Sequence, residues 1–310
     1  MAFLPIFPPM GTFYIVSTPI GNLSDLSPRA GEVLERVALL LAEDTRRSSI
    51  LLTHLGIRTP LRSCHRHNET QRIREVLDHL SQGHDVGLVS DAGTPLVSDP
   101  GERLVEAVLE AGHEVVPIPG PSAVLAALVA SGLPALPFTF LGFVPRKGRE
   151  RREMLDRVGS SRETVVLFES PERLAELLAE LAGREGGGER RGSVSRELTK
   201  RHEETRRGTM DTLARYYQES PPRGEVTVVI EPAPLPGHRA DVDREAARSL
   251  GSALLARGTS PSRAAREVAR RLDIPRNQAY ALIQGLKDEP LTGGGAGLEP
   301  EGEAVDEERS

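Results

Sequence analysis

Apolar runs alternate with helical patterns from Gly11 to Gly132. The short runs predict buried strands, and the segments between them have apolar residues every three or four positions, as amphipathic helices do. Ser27-Pro28 and Asp99-Pro100 are typical of helix starts, and Gly56 and Gly112 are typical of helix ends. Strands are predicted over 12–17, 37–42, 85–89 and 114–118, with a short one ending near 63–65. Strands that alternate with helices in this way predict a mainly parallel, doubly wound sheet.

A second α/β segment and a helical segment follow. Strands are predicted over 138–143, 164–168, 193–198 and 225–230, with a helix from Ser170-Pro171 through Leu181. A proline-rich linker at 232–237 precedes three helical patterns, over 241–257, 261–272 and 276–287. We therefore predict an N-terminal α/β domain (11–120), a second α/β domain (121–233), a helix-turn-helix-like module (240–288) and a tail (290–310).

The loops that follow the first five strands are rich in polar residues, glycine and proline. In doubly wound sheets, ligands bind beyond the carboxyl ends of the strands. Glycine and proline suit tight loops, but acids, histidines and amides at one sheet edge indicate a ligand cleft. Asn68 is expected to cap the helix that follows the third of these loops, in a capping box with Gln71. The five loops lie at 18–22, 43–46, 65–69, 90–95 and 119–123.

Composition narrows the class of protein. The longest unbroken apolar run, 123–130, is far shorter than the roughly 20 residues of a membrane helix, so no membrane span is expected. The single cysteine, Cys64, excludes an intrachain disulfide and a cysteine-based zinc site, which favours a reducing cytoplasm. No metal site is predicted.

Most of the net charge of −6 lies in the tail at 290–310. The tail holds six acids and one arginine, so the rest of the chain has a net charge of −1. We expect this tail to be disordered.

Eight loop and strand-end motifs occur in an order that resembles a known family. They are Ser-Thr-Pro-Ile-Gly-Asn-Leu (17–23), Ala-Glu-Asp-Thr-Arg (42–46), His-x-His-Asn-Glu (65–69), Val-Ser-Asp-Ala-Gly-Thr-Pro (89–95) with Ser-Asp-Pro-Gly (98–101), Pro-Gly-Pro-Ser-Ala (119–123), Phe-Glu-Ser-Pro-x-Arg (168–173), Arg-Glu-Leu-Thr-Lys (196–200) and Gly-Glu-Val (224–226). The series is similar to the tetrapyrrole methylase-like family, and within it to the enzymes that methylate small-subunit ribosomal RNA. It spans roughly 11–231, and the helical module resembles the C-terminal extension of those enzymes.

The resemblance implies a fold and an activity. The fold has two α/β domains of the tetrapyrrole methylase type, a class III S-adenosylmethionine methyltransferase, with the cofactor in the cleft between them. The activity is 2′-O-methylation of a cytidine ribose in the decoding region of 16S rRNA. The partners would be 16S rRNA or the 30S subunit and a second copy of the chain, in the cytoplasm. No Gly-x-Gly-x-x-Gly follows the first strand, which argues against a Rossmann dinucleotide site.

The motifs also imply site residues. The ligand has no pyrophosphate, so it needs backbone partners and close approach rather than a phosphate cradle. The residues expected to bind S-adenosylmethionine are Ile20, Asp91, Ala92, Gly93, Thr94, Ser122, Ala123 and Phe168. The residues expected at the catalytic centre are Glu43, Arg46, Asn68 and Lys200.

The base that takes the proton of a 2′-hydroxyl is left open. The candidates at the cleft are Glu43, Asp44, His65, His67, Glu69, Lys200 and Glu203.

Two arginine-rich segments are candidates for phosphate contact. The first comprises Arg146, Lys147 and Arg149, with Arg151 and Arg152 beside them. The second, at 190–207, holds seven basic residues.

Two other functions remain open from the sequence alone. A tetrapyrrole (precorrin-type) C-methyltransferase would share the cofactor cleft but has less need for the basic cluster. A non-enzymatic RNA-binding ribosome-assembly factor could use the helix-turn-helix-like module, but it leaves the strand-end loops unexplained.

Overall fold

The computed structural model describes residues 10–65, 68–234, 244–272, 274 and 276–288. The chain divides into two compact units, with the boundary between Ala233 and Pro234. The predicted division of the first unit into domains at residue 120 stays a prediction. His67, the first residues of the module (240–243) and the tail at 290–310 lie outside the described residues.

The first unit begins with a five-stranded, fully parallel sheet. The order of its strands is β3-β2-β4-β1-β5, so β1 and β4 lie side by side at the centre. The strands are β1 (Thr12–Val16), β2 (Leu39–Ala42), β3 (Leu61–Ser63), β4 (Val86–Val89) and β5 (Glu114–Ile118). The helices between them are α1 (Pro28–Arg36), α2 (Thr45–Leu55), α3 (Glu69–Ser81) and α4 (Glu102–Glu110).

Apolar residues cover both faces of this sheet. Alternate residues of β1 point to opposite faces, so Val16 packs in the cluster of α1 and α2, while Phe13 packs in that of α3 and α4. The doubly wound sheet predicted from the alternation is confirmed. Its carboxyl-end loops therefore all lie along one edge.

A second sheet follows in the same unit. Its strands are β6 (Phe138–Phe143), β7 (Thr164–Glu169), β8 (Arg191–Arg196), β9 (Glu204–Thr209) and β10 (Val226–Ile230). The helices are α5 (Ala123–Ala130), α6 (Arg149–Ser160), α7 (Pro171–Ala182) and α8 (Met210–Glu219). The sheet is mixed, with order β6-β7-β10-β8-β9 and only the β6–β7 pair parallel. Helices α6, α7 and α8 cover one face around the buried Tyr217, and α5 covers part of the other face.

Some elements differ from the predictions. The helix expected from Asp99-Pro100 begins only at Glu102, because Gly101 has φ of +129°, outside the helical region. The strand expected over 193–198 ends at Arg196, because Glu197 has positive φ and opens the turn to β9. We did not predict β9, whose sequence ETRRGT lacks the alternating apolar residues of a half-buried strand.

The second unit is a three-helix module made of α9 (Arg244–Ala256), α10 (Pro261–Leu272) and α11 (Arg276–Asp288). Small residues let the helices approach closely. A β-carbon added at Gly251 of α9 would lie 2.5 Å from Ile283 Cδ1 of α11. Among the described residues, no helix is long and apolar enough to cross a membrane.

Candidate active site

A cavity of about 440 Å³ opens where the carboxyl-end loops of the first sheet meet the second sheet. Its volume lies in the range of small-molecule sites, roughly 300–1,000 Å³. All eight residues predicted to bind the cofactor line it: Ile20, Asp91, Ala92, Gly93, Thr94, Ser122, Ala123 and Phe168. The structure therefore brings together residues that lie up to 148 positions apart in the chain.

The loops after β1 and β4 are joined by a two-residue bridge. Thr18 N donates to Gly93 O at 2.9 Å, and Gly93 N donates to Thr18 O at 3.0 Å. Gly93 has φ of +79°, and an added β-carbon would lie 3.4 Å from Ile20 Cγ2. Glycine is therefore required here for its conformation, and its missing side chain leaves the cavity wall open.

A chain of hydroxyl groups ties the loop after β5 to the same edge. Ser17 Oγ donates to Thr94 Oγ1 at 3.2 Å, and Thr94 Oγ1 donates to Pro121 O at 3.4 Å. Ser122 then caps α5 by accepting from Leu125 N. The first turn of α5 thus borders the cavity, with backbone N–H groups that helices leave unpaired at this end.

Asp91 connects two of the strand-end loops. Its Oδ1 accepts from Asp44 N at 2.9 Å, and its Oδ2 lies 3.5 Å from Arg47 Nη1. Both Arg46 and Arg47 are exposed, but only Arg47 lines the cavity. The sequence did not distinguish these neighbouring arginines, because only helical phase decides which of them faces the cavity.

Of the predicted catalytic residues, Glu43 lines the cavity and is half-buried. Its neighbour Asp44 caps α2, since Asp44 Oδ1 accepts from Arg46 N at 2.9 Å. The two adjacent acids at the end of β2 thus have different tasks. Asp44 holds a helix start, and Glu43 faces the cavity.

Asn68 and its neighbours lie outside the cavity lining. Asn68 occupies the N-cap position of α3, as predicted, but the expected capping hydrogen bond is not formed, because its side chain turns back into the loop. There its Oδ1 accepts from His65 N at 2.8 Å, and its Nδ2 donates to Ser63 O at 3.0 Å. Glu69 is buried, and its Oε1 accepts from Leu104 N in the first turn of α4 at 3.1 Å. These contacts give Asn68 and Glu69 structural tasks.

Lys200 also lies outside the lining, at the turn between β8 and β9. Its Nζ lies 3.0 Å from Glu197 Oε1 and 3.2 Å from Glu225 Oε2, and Glu225 lines the cavity. Burial alone would lower the pKa of Lys200, but hydrogen bonds and charge from the two glutamates raise it. Lys200 is therefore a cation at neutral pH and is unsuited to be the base.

A buried ion network supports the second-sheet side of the cavity. Glu169, the last residue of β7, is 2% exposed, lines the cavity, and pairs with Arg173 in the first turn of α7. Arg173 Nη2 also donates to Val144 O at 2.9 Å. Burial raises the pKa of Glu169, against the lowering effect of the Ser170 N–H group and the two arginines Arg173 and Arg151.

The basic cluster divides into surface and interior residues. Arg146 and Lys147 are exposed on the turn between β6 and α6, and Arg149 is exposed and pairs with Glu153 at 2.5 Å. The expectation for Arg151 is wrong. Arg151 is 6% exposed, lies 3.1 Å from Glu180 and donates to Pro145 O.

The second arginine-rich segment is also partly structural. Arg190 is 6% exposed and donates to Glu231 O, while Arg196 and Arg206 both pair with Glu204. These residues tie β8 to its neighbours. Only part of the 190–207 segment is therefore available to bind phosphate.

Asp99 is a cavity residue that sequence reasoning missed. Burial raises its pKa, a hydrogen bond from Ser90 opposes the shift, and the charge of Asp91 adds to it. The folded protein therefore binds the proton more tightly than the unfolded chain, where the pKa is about 3.9. The proton bound to Asp99 contributes to the free energy of unfolding at low pH, and this contribution is lost as the pH rises through the folded-state pKa.

We predict that Asp99→Asn raises the melting temperature at pH 7, because a half-buried charge is removed. The gain should shrink as the pH falls toward 4, because the raised pKa lets the native carboxyl take up its proton at a higher pH than the unfolded chain does. Thermal unfolding at both pH values measures this difference. Asp78→Asn, at an exposed position of α3, is the control. A gain that grows toward low pH would contradict the prediction.

Three comparisons with known proteins bear on this site. The family model described as Tetrapyrrole (Corrin/Porphyrin) Methylases matches residues 12–214. The ribosomal RNA small subunit methyltransferase I of Synechocystis sp. is 45% identical over 88% of this chain and 97% of its own. That of Thermotoga maritima is 44% identical over 71% of this chain and 98% of its own. The crystal structure of uroporphyrin-III-C-methyltransferase from Thermus thermophilus has a TM-score of 0.50 at 23% identity, over 71% of this chain and 94% of that one.

The fold and the cavity define a methyltransferase of the tetrapyrrole methylase type, as predicted from the motifs. The chain belongs to the tetrapyrrole methylase family and, within it, to the group named ribosomal RNA small subunit methyltransferase I. Its methyl donor is S-adenosylmethionine.

The cavity suits this donor chemically. S-adenosylmethionine carries a sulfonium and an ammonium group, and the charged residues of the lining are five acids and Arg47: Glu43, Asp91, Asp99, Glu169 and Glu225. The open wall at Gly93 and the start of α5 supply close approach and backbone donors. The eight predicted cofactor residues would hold the ligand here. Among the described residues, no cluster of His, Cys, Asp or Glu side chains could hold a metal ion.

Proposed function

We propose that the protein transfers a methyl group from S-adenosylmethionine to the 2′-hydroxyl of a cytidine ribose in the decoding region of 16S rRNA. The observation that carries the proposal is the cavity itself, which joins the eight proposed cofactor residues to Glu43 and to Phe143, three residues before the exposed basic turn of Arg146 and Lys147. The names of relatives at 38–45% identity support ribosomal RNA as the substrate.

Catalysis here consists mainly of positioning and proton removal. S-adenosylmethionine, when bound, supplies an electrophilic methyl group on its sulfonium. The loops after β1, β4 and β5 fix its position, and in-line geometry lowers the barrier. A 2′-hydroxyl is a poor nucleophile until a base takes its proton. Glu43, at the cavity wall, takes that proton on its carboxylate. Lys200, held as a cation, would orient phosphate or acid groups at the cavity edge.

Two basic surfaces favour RNA as the substrate. The first is the turn with Arg146 and Lys147. The second is the helical module at 240–288, whose sequence holds nine arginines and lysines against six acids, although the whole chain has a net charge of −6. Phosphate contacts supply most of the non-specific affinity of RNA-binding proteins. Binding a tetrapyrrole substrate would not require either of these basic surfaces.

The proposal extends to partners. The substrate is the 30S subunit or its 16S rRNA, which assembles in the cytoplasm, and the protein acts there as a homodimer. Sedimentation equilibrium tests the dimer directly.

Labelled methyl transfer tests the proposal. The protein is incubated with S-adenosylmethionine carrying a tritiated methyl group and one of three acceptors: 30S subunits from cells lacking the gene, free 16S rRNA, or a tetrapyrrole such as uroporphyrinogen III. We expect label in the 16S rRNA, in a nucleotide that resists alkaline cleavage at its 3′ side, as 2′-O-methyl nucleotides do. Label in the tetrapyrrole alone would establish a C-methyltransferase. Absence of label with all three would favour a binding factor.

The basic turn provides a second prediction. Changing Arg146 and Lys147 together to alanine should weaken binding to 30S subunits and flatten its dependence on salt. Each lost phosphate contact reduces the slope of log affinity against log salt by about 0.7–0.9, so the pair should reduce it by about 1.4–1.8. Binding is measured at several salt concentrations.

The control for this variant removes the same number of charges elsewhere. Arg29 on α1 and Arg103 on α4 are exposed, and their double change to alanine should leave the slope close to that of the wild type. Equal slopes for both double variants and the wild type would mean that the turn is ordinary solvated surface.

A further inference from the structure

Phe143 is an aromatic residue that the fold leaves exposed at the cavity. It lines the cavity, yet 58% of its surface is accessible. The chain has only seven phenylalanines, four tyrosines and no tryptophan. Large apolar side chains at the surface cost hydration free energy, so an exposed ring at a ligand cavity points to a contact that the free protein lacks.

A β-bulge puts this ring on the cavity side of the sheet. Phe140 pairs with Val166 and Phe143 pairs with Phe168, so three steps along β6 match two along β7. In a regular strand, residues three apart point to opposite faces. The extra residue brings Phe140 and Phe143 to the same face, and Gly142, with φ of +70°, supplies the conformation.

Neighbouring groups hold the ring in position. Its centroid lies 5.3 Å from that of Phe168, which lies 4.9 Å from that of Phe140. The next two residues are fixed by buried arginines: Arg173 Nη2 donates to Val144 O at 2.9 Å, and Arg151 Nη1 donates to Pro145 O at 3.1 Å. The ring is therefore supported from behind and open in front, as an aromatic stacking platform must be.

The exposed cations begin three residues later, at Arg146 and Lys147. A nucleotide presents both a flat base and a phosphate, and single-stranded RNA is recognised by stacking splayed bases on aromatic rings beside basic residues. From this arrangement we propose that Phe143 is the stacking platform for the base of the target nucleotide. This inference rests on the proposed function, because it assigns the base-binding part of that site.

Stacking would orient the ribose toward Glu43 without touching the reacting atoms, so Phe143 is a positioning residue. Phe143→Leu keeps an apolar side chain and removes the ring, and Phe143→Tyr keeps the ring. We expect Phe143→Leu to raise the KM for 30S subunits about 5- to 100-fold, the range of a lost base–aromatic stack. The KM of the separate variant Phe143→Tyr should stay within about threefold of the wild-type value.

Two further measurements separate stacking on the RNA base from other roles. The dissociation constant of S-adenosylmethionine should be the same for Phe143→Leu and the wild type, and the salt slope of 30S binding should not change, because no charge is lost. Leu136→Ala, which shortens an apolar side chain that is 80% exposed and outside the lining, is the control.

Several results would overturn the proposal. A wild-type KM for Phe143→Leu would do so, as would a parallel rise in the dissociation constant of S-adenosylmethionine, which would assign the ring to the adenine of the cofactor. A change in sedimentation would assign it to a contact between copies of the chain. Failure of the proposed function is distinct, because the wild-type protein itself would then leave ribosomal RNA unlabelled.

Discussion

Replacing Glu43 by glutamine should lower the kcat of methyl transfer to 30S subunits by about 10²- to 10⁴-fold, the usual contribution of general acid–base catalysis. Glutamine has nearly the same shape but cannot accept the proton of the attacking hydroxyl. The affinity for S-adenosylmethionine should stay within about threefold of the wild type, because the residues proposed to hold the cofactor lie mainly in the loops after β1, β4 and β5. Single-turnover kinetics and calorimetry measure the two quantities separately.

The other acids at the cavity also make contacts that hold the site together. Asp91 holds Asp44 N and Arg47, Glu169 pairs with buried arginine, and Glu225 pairs with Lys200. Asp99 competes with Glu43 for the role of general base. Its pKa is raised, which brings it closer to the pH at which a base works best.

Comparing Asp99→Asn with Glu43→Gln decides between these two carboxylates. If kcat falls by two orders of magnitude or more in Asp99→Asn and hardly changes in Glu43→Gln, Asp99 is the base. Glu35→Gln, on the exposed side of α1, serves as the control for loss of one carboxylate.

Much of the fold could be predicted because its signals are local. The period of the apolar residues gave the five strands of the first sheet and the helices between them, with ends within two or three residues. Parallel strands send their carboxyl-end loops to one edge. The motifs after β1, β4 and β5 were therefore expected to meet, and the cavity contains residues from all three.

The features that could not be predicted depend on contacts between distant residues. Lys200 is held by Glu225 across 25 positions, which no local pattern reveals. The bulge in β6 reverses the face of Phe143, so simple alternation would place that ring wrongly. Arg151 is different, because it precedes Leu155 and Val158 on the buried stripe of α6. That spacing was a readable sign that this arginine is not part of the basic surface.

The loop after β4 is the subject of the last prediction, and the chain contains a matched control for it. Asp91 follows β4 and Asp85 precedes it. Each carboxylate accepts a backbone N–H at 2.9 Å, from Asp44 and Thr12 respectively. Each also lies near a half-exposed arginine, at 3.5 Å from Arg47 and 3.4 Å from Arg36. The two residues make equivalent contacts at opposite ends of one strand.

Asp91→Ala should raise the dissociation constant of S-adenosylmethionine about ten- to hundredfold. A hydrogen bond to a charged group contributes about 1.5–3 kcal/mol, and its loss here releases the loop of Glu43 and Arg47 from the loop that holds Gly93. Asp85→Ala should lower the free energy of unfolding by a similar amount, because it loses the same kinds of contact. It should leave cofactor affinity unchanged, because Asp85 lies at the other end of the strand.

Calorimetric titration and thermal unfolding of both variants measure the two effects. If both variants bind the cofactor equally well, Asp91 only stabilises the fold; if both bind it equally poorly, general destabilisation explains the loss. A weakened affinity in Asp91→Ala alone assigns the loop after β4 to the cofactor site.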